Sequence, residues 1–492
     1  MFRKRMLALL LCAILTSSFA TGCSGGEETA QTTAETETVP ADAVSAENGK
    51  TPFDVSGIDY EGYEFRIWNF DNVKVNTWDP SDIPNDMYSQ ELTGDVLNDA
   101  VYTRNKTVEE ALNIIISAED RDDGSMDTGL QQAVVSGSQD MDVLFPRFYS
   151  MPAYVNKGFL LQLDTVNFRD TSAPWWNADA NEVLTIYGKR FGMVSDITYQ
   201  DKVSTIVTYF NKQMAEDYQL GDLYETVINN EWTLDNLLAM GEAVSSDVNS
   251  DGAYDIEDAY PLSCQNDAVY YLLHGGGIRF CENDADGNIV LSLTSEQAVS
   301  SLQKIYEILG NQQMFFNRQT FGVSLQDAVN MFCESRVMFL IRPIQSLFLM
   351  RDMEADFGIL PVPKLANTQD SYGAAVNPYA ATFMCYPKTA ADPERNAVVT
   401  EMLAWDSHYT VIDPLYENIL GSKLIRDDGA SAMLDIVFDS IVYDIGLIWN
   451  FNDMSTKLLT NKDTNVASLL AEISGAVETE IRKLQNTVSE ME

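Results

Sequence analysis

The feature that most constrains this chain is an alternation of strand-like and helix-like segments that begins at residue 63. Residues 63–70 (YEFRIWNF) alternate as a strand does, and residues 94–112 carry apolar side chains at helical spacing. Two short apolar runs, 113–117 and 141–145, enclose a further amphipathic stretch. The order strand, helix, strand, helix, strand predicts a parallel sheet covered by helices.

The same pattern restarts after residue 170. Strand-like runs stand at 205–210 (TIVTYF) and 337–341 (VMFLI), with mostly helical sequence between them. Later helix signals cover 393–406, 430–446 and 464–486. No fixed-period repeat is visible, and 492 residues suit two or three domains. We therefore expect an α/β protein of two lobes.

The charge balance narrows the classes of function. The chain has 31 Lys and Arg against 74 Asp and Glu, a formal net charge of −43. Nucleic acids and anionic membrane surfaces are poor partners for such a chain, because binding them needs clustered basic residues. Only two histidines exist, His274 and His408, which argues against histidine-rich metal catalysis and favours structural roles for both.

The first 22 residues have the features of an export signal. Three basic residues precede an apolar run at 6–15 that is too short to span a bilayer. The sequence ATGC at 20–23 resembles a bacterial lipobox, with Ala20 where leucine is usual, and predicts a lipid anchor on the sulfur of Cys23. Ordinary signal cleavage that leaves Cys23 as a free thiol is the alternative. Residues 23–52 lack aromatic side chains, and we interpret them as a disordered tether.

An acidic stretch at 247–258 has the spacing of a calcium loop. Oxygen ligands would come from Asp247, Asn249, Asp251, Ala253 (through its carbonyl), Asp255 and Asp258. Gly252 permits the sharp turn that the loop needs. Asp258 stands where glutamate is usual, so bidentate contact is harder and affinity is weaker. We expect a structural Ca²⁺ outside the ligand site, and the alternative is a solvated acidic turn.

Catalytic signatures are missing from the sequence. It contains no H-E-x-x-H, no G-x-S-x-G and no phosphate-binding P-loop motif. Two carboxylates could still hydrolyse a glycoside, but with 74 acidic residues some pair is always close by chance. Four further cysteines have wide, irregular spacing, so that free thiols and disulfides stay equally open: Cys264, Cys281, Cys333 and Cys385.

Several stretches, in the right order, resemble extracellular solute-binding proteins of bacterial ABC importers, the sugar-type family 1. These stretches are RNKTVEEALNIIIS (104–117), QQAVVSGSQDMDVLF (131–145), NKGFLLQLD (156–164), TYFNKQM (208–214), EWTLDNLL (231–238), ESRVMFLI (334–341), DFGILPVPK (356–364) and NPYAATFMCYPKTAADPERNAVV (377–399). Together they cover most of residues 60–450. The resemblance implies the type II fold of periplasmic binding proteins, with hinge crossovers between two lobes, each a mostly parallel sheet flanked by helices.

By this resemblance, lobe 1 comprises 53–165 and 364–408, and lobe 2 comprises 166–363 and 409–492. The implied protein is a monomeric, non-enzymatic receptor that is lipid-anchored on the extracellular face of the cell membrane. It would capture a carbohydrate by lobe closure and deliver it to ABC permease subunits. A surface glycoside hydrolase and a polysaccharide-holding adhesin or sensor remain as alternatives.

Ligands of open α/β sheets bind beyond the carboxyl ends of the strands, and sugars stack on aromatic rings. These rules, with the glycine-rich turn and the aromatic segments, select candidate ligand contacts: Trp68, Asn69, Arg147, Trp175, Trp176, Asp196, Tyr199, Gly275, Gly276, Arg342 and Trp449. For each of them a role in the core or in a loop is the alternative. Trp232 precedes a helix cap at Thr233, and we assign it to packing.

Overall fold

The computed structural model of the chain describes residues 50–70, 83–350, 352–421, 428–461 and 463–491. The predicted signal segment, Cys23 and most of the tether lie outside these residues. The strands are β1 Tyr63–Phe70, β2 Ile114–Arg121, β3 Val143–Phe145, β4 Thr185–Ile186, β5 Lys189–Arg190, β6 Ile206–Asn211, β7 Tyr260–Cys264, β8 Cys281–Asn283, β9 Ile289–Leu291, β10 Phe315–Asn317, β11 Val337–Pro343, β12 Phe357–Leu360, β13 Ala374–Ala375 and β14 Ile441–Val442.

Helices cover both sheets. They are α1 Val96–Leu112, α2 Asp123–Ser136, α3 Met151–Asn156, α4 Ala178–Val183, α5 Gln200–Val203, α6 Lys212–Asp217, α7 Leu223–Ile228, α8 Leu234–Gly241, α9 Ala268–Gly275, α10 Glu296–Leu309, α11 Arg318–Phe321, α12 Leu325–Cys333, α13 Pro393–Thr410, α14 Ile412–Gly421, α15 Asp428–Asp439, α16 Ile445–Trp449, α17 Met454–Thr460 and α18 Val466–Ser489. None of the described helices is long and apolar enough to cross a bilayer.

The first sheet confirms the predicted alternation. Its strands run β2-β1-β3 and are all parallel, with Phe65 opposite Ile116 and Trp68 opposite Leu144. Asp95 starts α1 by accepting hydrogen bonds from two backbone amides, and Asn113 ends it in the left-handed conformation at φ 50°. The helix therefore turns back directly into β2.

The second sheet has five strands in the order β10-β7-β11-β6-β12. Strand β6 is antiparallel to both neighbours, and the other four share one direction. Strands β6, β7, β11 and β12 are buried along their whole length. Burial on both faces explains why these segments are almost continuously apolar.

The chain passes between the two sheets three times, in what we call the connecting segments: 197–205, 376–382 and 405–411. The first and second pair with each other through the Thr205–Val376 bridge and the Asn377 amide, which donates to the carbonyl of Ser204. After the second segment, the chain returns to the first sheet. There the backbone of Cys385 pairs with that of Leu144 in an isolated antiparallel β-bridge. The described residues are connected densely enough to form one compact unit.

The core around the first sheet extends past residue 165. Val166, Trp175, Trp176 and Met193 pack in the same cluster as Phe65 and other residues of the first sheet. Val166, Trp175, Trp176 and Met193 therefore pack with the first sheet, although the predicted boundary places them in lobe 2. The lobe boundaries themselves stay a prediction.

The late helices differ from the predicted ranges in one place. The expected helix at 430–446 is broken, because α15 ends at Asp439 and Ile441–Val442 pairs with β13. Asp444 then starts α16 by accepting bonds from the amides of Gly446 and Leu447. A capping carboxylate at this position starts a new helix instead of continuing the old one.

Candidate functional site

Polar and aromatic side chains from both sheets meet in one group, which we call the cleft cluster. It comprises Arg147, Tyr149 and Tyr379 on the side of the first sheet, and Gln265, Asp267 and Arg342 on the side of the second. Arg147 follows β3, Gln265 follows β7, and Arg342 is the second-last residue of β11. These positions are the carboxyl ends of parallel strands, where ligands of α/β sheets bind.

On the first side, Arg147 is held by three kinds of contact. Its Nε donates to Asp123 at 2.9 Å, and Nη1 donates to the carbonyl of Tyr379 at 2.9 Å. Its guanidinium lies 4.6 Å from the ring centre of Phe70. The rings of Tyr149 and Tyr379 are 4.9 Å apart, and Tyr149 is 47% exposed. This side therefore presents an aromatic pair beside a fixed guanidinium.

On the second side, two arginines converge on one amide oxygen. Arg342 Nη1 and Arg318 Nε donate to Gln265 Oε1 at 2.9 and 3.0 Å. The amide nitrogen of Gln265 donates in turn to Asp267. Burial raises the pKa of Asp267 above its usual value, although Arg342 and Arg318 oppose the shift. The result is a nearly buried row of charged and amide groups.

Tyr379 is where the two sides meet. Burial raises its pKa to about 12, and Asp267 from the second side and Tyr149 from the first add to the shift. Asp267, Asp453 and Arg147 act on this ring, and Arg342 and Arg318 act in turn on Asp267. Charges of both signs with several fixed donors suit a neutral, hydroxyl-rich ligand better than an ion.

Trp68 and Asn69 lie at the end of β1 but are covered. The guanidinium of Arg121 lies 3.4 Å from the ring centre of Trp68, and a side chain on Gly129 would collide with the same ring. Asn69 Nδ2 donates to Asp120 at 3.3 Å, while its Oδ1 has no partner among the described residues. The structure thus packs Trp68 and leaves one acceptor open on Asn69.

The three other tryptophans on the candidate list are buried. Trp175 and Trp176 belong to the core of the first sheet, and Trp176 meets Phe168 edge-on at 5.6 Å. Trp449 packs in another core cluster with Trp68. The indole nitrogens of all three have no hydrogen-bond partner among the described residues. Trp232 is buried as predicted, and its Nε1 donates to the carbonyl of Pro361 at 2.8 Å.

Gly275 and Gly276 lie against the chain that follows β12. An added Cβ on Gly275 would stand 2.7 Å from Val362, and one on Gly276 would stand 2.4 Å from Leu365. The space beside both glycines is therefore filled by protein. Close packing of α9 on residues 362–365 accounts for both glycines without a ligand.

Asp196 and Tyr199 belong to a second polar group, at the connecting segments rather than in the cleft cluster. Asp196 accepts from His408 Nδ1 at 2.7 Å and from Lys202 at 3.0 Å. Burial alone would raise the pKa of Asp196, but Lys202 and His408 bring it below its usual value. Tyr199 is fully buried and donates to the carbonyl of Pro84.

A buried arginine completes this group, which we call the connection network: Arg104, Asp196, Lys202 and His408. Arg104 Nη1 donates to the carbonyl of Ile197 at 2.9 Å and to the hydroxyl of Ser407 at 3.1 Å. It thereby joins the first connecting segment to the third. Thr198 lies 3.3 Å from Thr382 through their hydroxyl oxygens, which joins the first segment to the second.

The acidic loop at 247–258 turns sharply at Gly252. Gly252 has a φ of +84°, and its amide donates to Asp247 at 2.9 Å. The carboxylate of Asp258 accepts from the amides of Val248 and Asp255, both at 2.8 Å. Among the described residues, no three histidine, cysteine or acidic side chains are grouped closely enough to hold a metal. Calcium binding here stays a prediction.

Sequence reasoning found two members of the cleft cluster, Arg147 and Arg342, and missed four. Gln265 and Asp267 follow β7, whose sequence YPLSC contains Pro261 and was not assigned to a strand. The strand-end rule would have found both, had β7 been assigned. Tyr149 lies in a single turn of 3-10 helix and Tyr379 in a turn, and no local sequence pattern marks either residue. The thiols of the four described cysteines are free, which decides between the two alternatives left open by their spacing.

Comparison with solved structures identifies the architecture. A cyclo/maltodextrin-binding protein complexed with maltotetraose matches with a TM-score of 0.57 and 14% identity, over 85% of this chain and 97% of that chain. The Bifidobacterium longum galacto-N-biose/lacto-N-biose I-binding protein, in complex with lacto-N-biose, matches with a TM-score of 0.55 and 12% identity, over 87% and 98%.

The fold is that of ABC solute-binding proteins of type II. The ABC substrate-binding protein Lmo0181 from Listeria monocytogenes, in complex with cycloalternan, agrees with a TM-score of 0.53 and 15% identity, over 87% of this chain and 99% of that chain. No protein-family model and no curated protein sequence matches the chain. The likeness therefore concerns the fold, and the ligand must be argued from the chain's own residues.

Proposed function

We propose that this protein is the solute-binding component of an ABC importer and captures a neutral carbohydrate in the cleft cluster. One observation carries the proposal. Arg147 and Arg342 stand at the carboxyl ends of strands in two different sheets, and Tyr379 interacts with groups from both sides. A ligand at this place contacts both halves at once, as capture by closure requires.

The chemistry of the cluster suits sugar hydroxyls. Guanidinium and amide donors bind hydroxyl oxygens, carboxylates accept hydroxyl protons, and tyrosine rings stack on the apolar face of a sugar ring. The solved structures of the same fold named above are complexes with maltotetraose, lacto-N-biose and cycloalternan. Both lines of support favour an oligosaccharide.

The proposed mechanism is binding without turnover. The ligand binds one half, and rotation about the three connecting segments brings the other half over it. Ligand contacts made only in the closed form shift the open–closed equilibrium. The connection network ties those segments together, so that they turn as one unit, and a permease would recognise the closed form.

The tether and the permease partner belong to the same proposal. A lipid on Cys23, followed by the polar segment 23–52, would hold a monomeric receptor at the extracellular face of the cell membrane. Mass spectrometry of the mature N-terminus tests this part. An unmodified chain that begins at residue 21 would contradict the anchor and leave the binding proposal intact.

We also propose that the 247–258 loop binds one structural Ca²⁺. Its support is the ligand spacing together with the Gly252 turn and the backbone contacts of Asp247. Calorimetry with CaCl₂ on the chelated protein tests it, with Asp247→Asn as the matched variant. Heat and a raised melting temperature in the parent only are the expected result, and no heat in the parent contradicts the proposal.

A thermal-shift screen over neutral oligosaccharides, peptides and polyamines tests the main function. We expect stabilisation by one class of sugar, with the sugar recovered unchanged by chromatography. Shortened products would indicate a glycoside hydrolase instead. Stabilisation by peptides or polyamines alone would refute the carbohydrate assignment.

A further inference from the structure

A groove on the second-sheet side lies next to the cleft cluster but is separate from it. Its volume is about 410 Å³, within the range of small-molecule pockets, roughly 300–1,000 Å³. The ends of α10 and α17, the strand β10 and the short helix α11 form its walls.

Charge distinguishes this groove from the rest of the protein surface. The chain carries a net charge of −43, and 21% of its residues are charged. Among the described residues that line the groove, none carries a charge, and six are asparagine, glutamine or threonine. A lining of neutral amides and hydroxyls on so acidic a protein selects against ions of either sign.

Aromatic surface and open hydrogen-bonding groups face the same space. Phe321 uses one face to stack on Phe316, with ring centres 4.9 Å apart and planes 4° from parallel, and it also lines the groove. Among the described residues, the side chains of Gln312 and Thr320 have no hydrogen-bond partner, and neither does Nδ2 of Asn266. Ring surface beside neutral donors and acceptors is the composition that binds a sugar ring.

The groove and the cleft cluster share a wall. Asn266 lines the groove, whereas its neighbours Gln265 and Asp267 belong to the cleft cluster. The same alternation occurs at residues 317 and 318. Asn317 lines the groove and donates a hydrogen bond to Asn266 at 2.8 Å, whereas Arg318 donates to Gln265 in the cleft cluster. Adjacent side chains on the same two segments therefore line the groove and belong to the cleft cluster, respectively.

We propose that this groove is a second carbohydrate site, which takes one neutral sugar ring on the second-sheet side alone. It rests on the groove's own lining and not on closure of the cleft. Its expected affinity is weak, since the ring contacts one half of the protein only. A site of this kind would hold one end of a longer glycan, or a second molecule, beside the captured ligand.

Saturation-transfer NMR on the full chain carrying Arg342→Met, which weakens binding in the cleft, tests the groove with D-glucose and maltotriose as probes. We expect transfer to persist in this background. It should weaken about tenfold with Phe321→Ala or with Gln312→Glu, which puts a charge into the neutral lining. Gln297→Glu, an exposed change on α10 outside the groove, is the matched control and should have no effect.

The outcomes separate this inference from the main function. Loss of all transfer in Arg342→Met, with binding kept in the parent, overturns the groove and leaves cleft binding intact. Transfer of undiminished intensity in both Phe321→Ala and Gln312→Glu also overturns it. Because Gln312 is exposed, its variant is expected to fold even where Phe321→Ala does not.

Discussion

The connection network and the cleft cluster each contain a buried arginine, and the two arginines are held differently. Arg104 is 1% exposed and makes five hydrogen bonds, three of them to backbone carbonyls. Arg342 is 3% exposed, and its partners include the side chains of Gln265 and Ser346. The three main-chain contacts of Arg104 stabilise one arrangement, whereas the side-chain contacts of Arg342 with Gln265 and Ser346 can be exchanged for contacts with a ligand.

This difference predicts that removing the charge of Arg104 lowers mainly stability, whereas removing that of Arg342 lowers mainly ligand affinity. Arg104→Met leaves three buried carbonyls and the Asn105 and Ser407 side chains without their donor. We expect the free energy of unfolding to fall by about 3–5 kcal/mol. Urea denaturation measures it, and Arg482→Met, with a side chain 63% exposed, should change stability by less than about 0.5 kcal/mol. Equal losses of unfolding free energy in Arg104→Met and Arg342→Met would remove the distinction between the two arginines.

Arg342→Met should act on ligand affinity more than on stability. Removing one charge-assisted donor from the cleft cluster should weaken sugar binding roughly 30-fold, about 2 kcal/mol. The loss of unfolding free energy should be smaller than that of Arg104→Met. Calorimetric titration with the sugar found by thermal shift gives the first quantity, and urea denaturation gives the second. Unchanged affinity would show that the ligand binds elsewhere.

The pH dependence of stability in Asp196→Asn tests whether charge holds the connection network together. The folded-state pKa of Asp196 is lowered, so the carboxylate contributes stability above its unfolded value near 3.9 and loses it as pH falls through the folded pKa. We expect a loss of about 1–2 kcal/mol at pH 7 that shrinks below pH 4. Unfolding at pH 7 and pH 3 measures it, with the exposed Asp235→Asn as control. A loss of the same size at both pH values would contradict the charge-based account.

Tyr379→Phe, the substitution with the smallest expected effect, tests the contact between the two sides of the cleft cluster. It removes one hydroxyl and keeps the ring that packs on Tyr149. Sugar affinity should fall by about 1 kcal/mol, roughly fivefold, with unfolding free energy unchanged within about 0.5 kcal/mol. Tyr218→Phe, at a surface position, should alter neither quantity. A change in stability without a change in affinity would assign Tyr379 to packing.

The sequence predicted the first sheet well because its signals are local. Strand β1 has the predicted bounds, and the caps of α1 follow from Asp95 and Asn113. The second sheet was only partly predicted, since β7 contains Pro261 and β10 has three residues. Short strands carry too few residues to show a period.

The candidate site was harder to predict because exposure depends on distant segments. Trp68 stands at a strand end as the rule requires, yet Arg121 covers its ring. Trp175 and Trp176 are buried by residues that come from other parts of the chain. Arg147 and Arg342 emerged because strand ends can be read locally, whereas the position of Tyr379 between the two sides depends on the whole fold.

Small-angle scattering with and without the sugar that stabilises the protein most tests the central claim directly. We expect a smaller radius of gyration for the parent at saturating sugar, and a smaller decrease for Arg342→Met at the same concentration. An unchanged radius in the parent, with binding confirmed by calorimetry, would contradict capture between two halves.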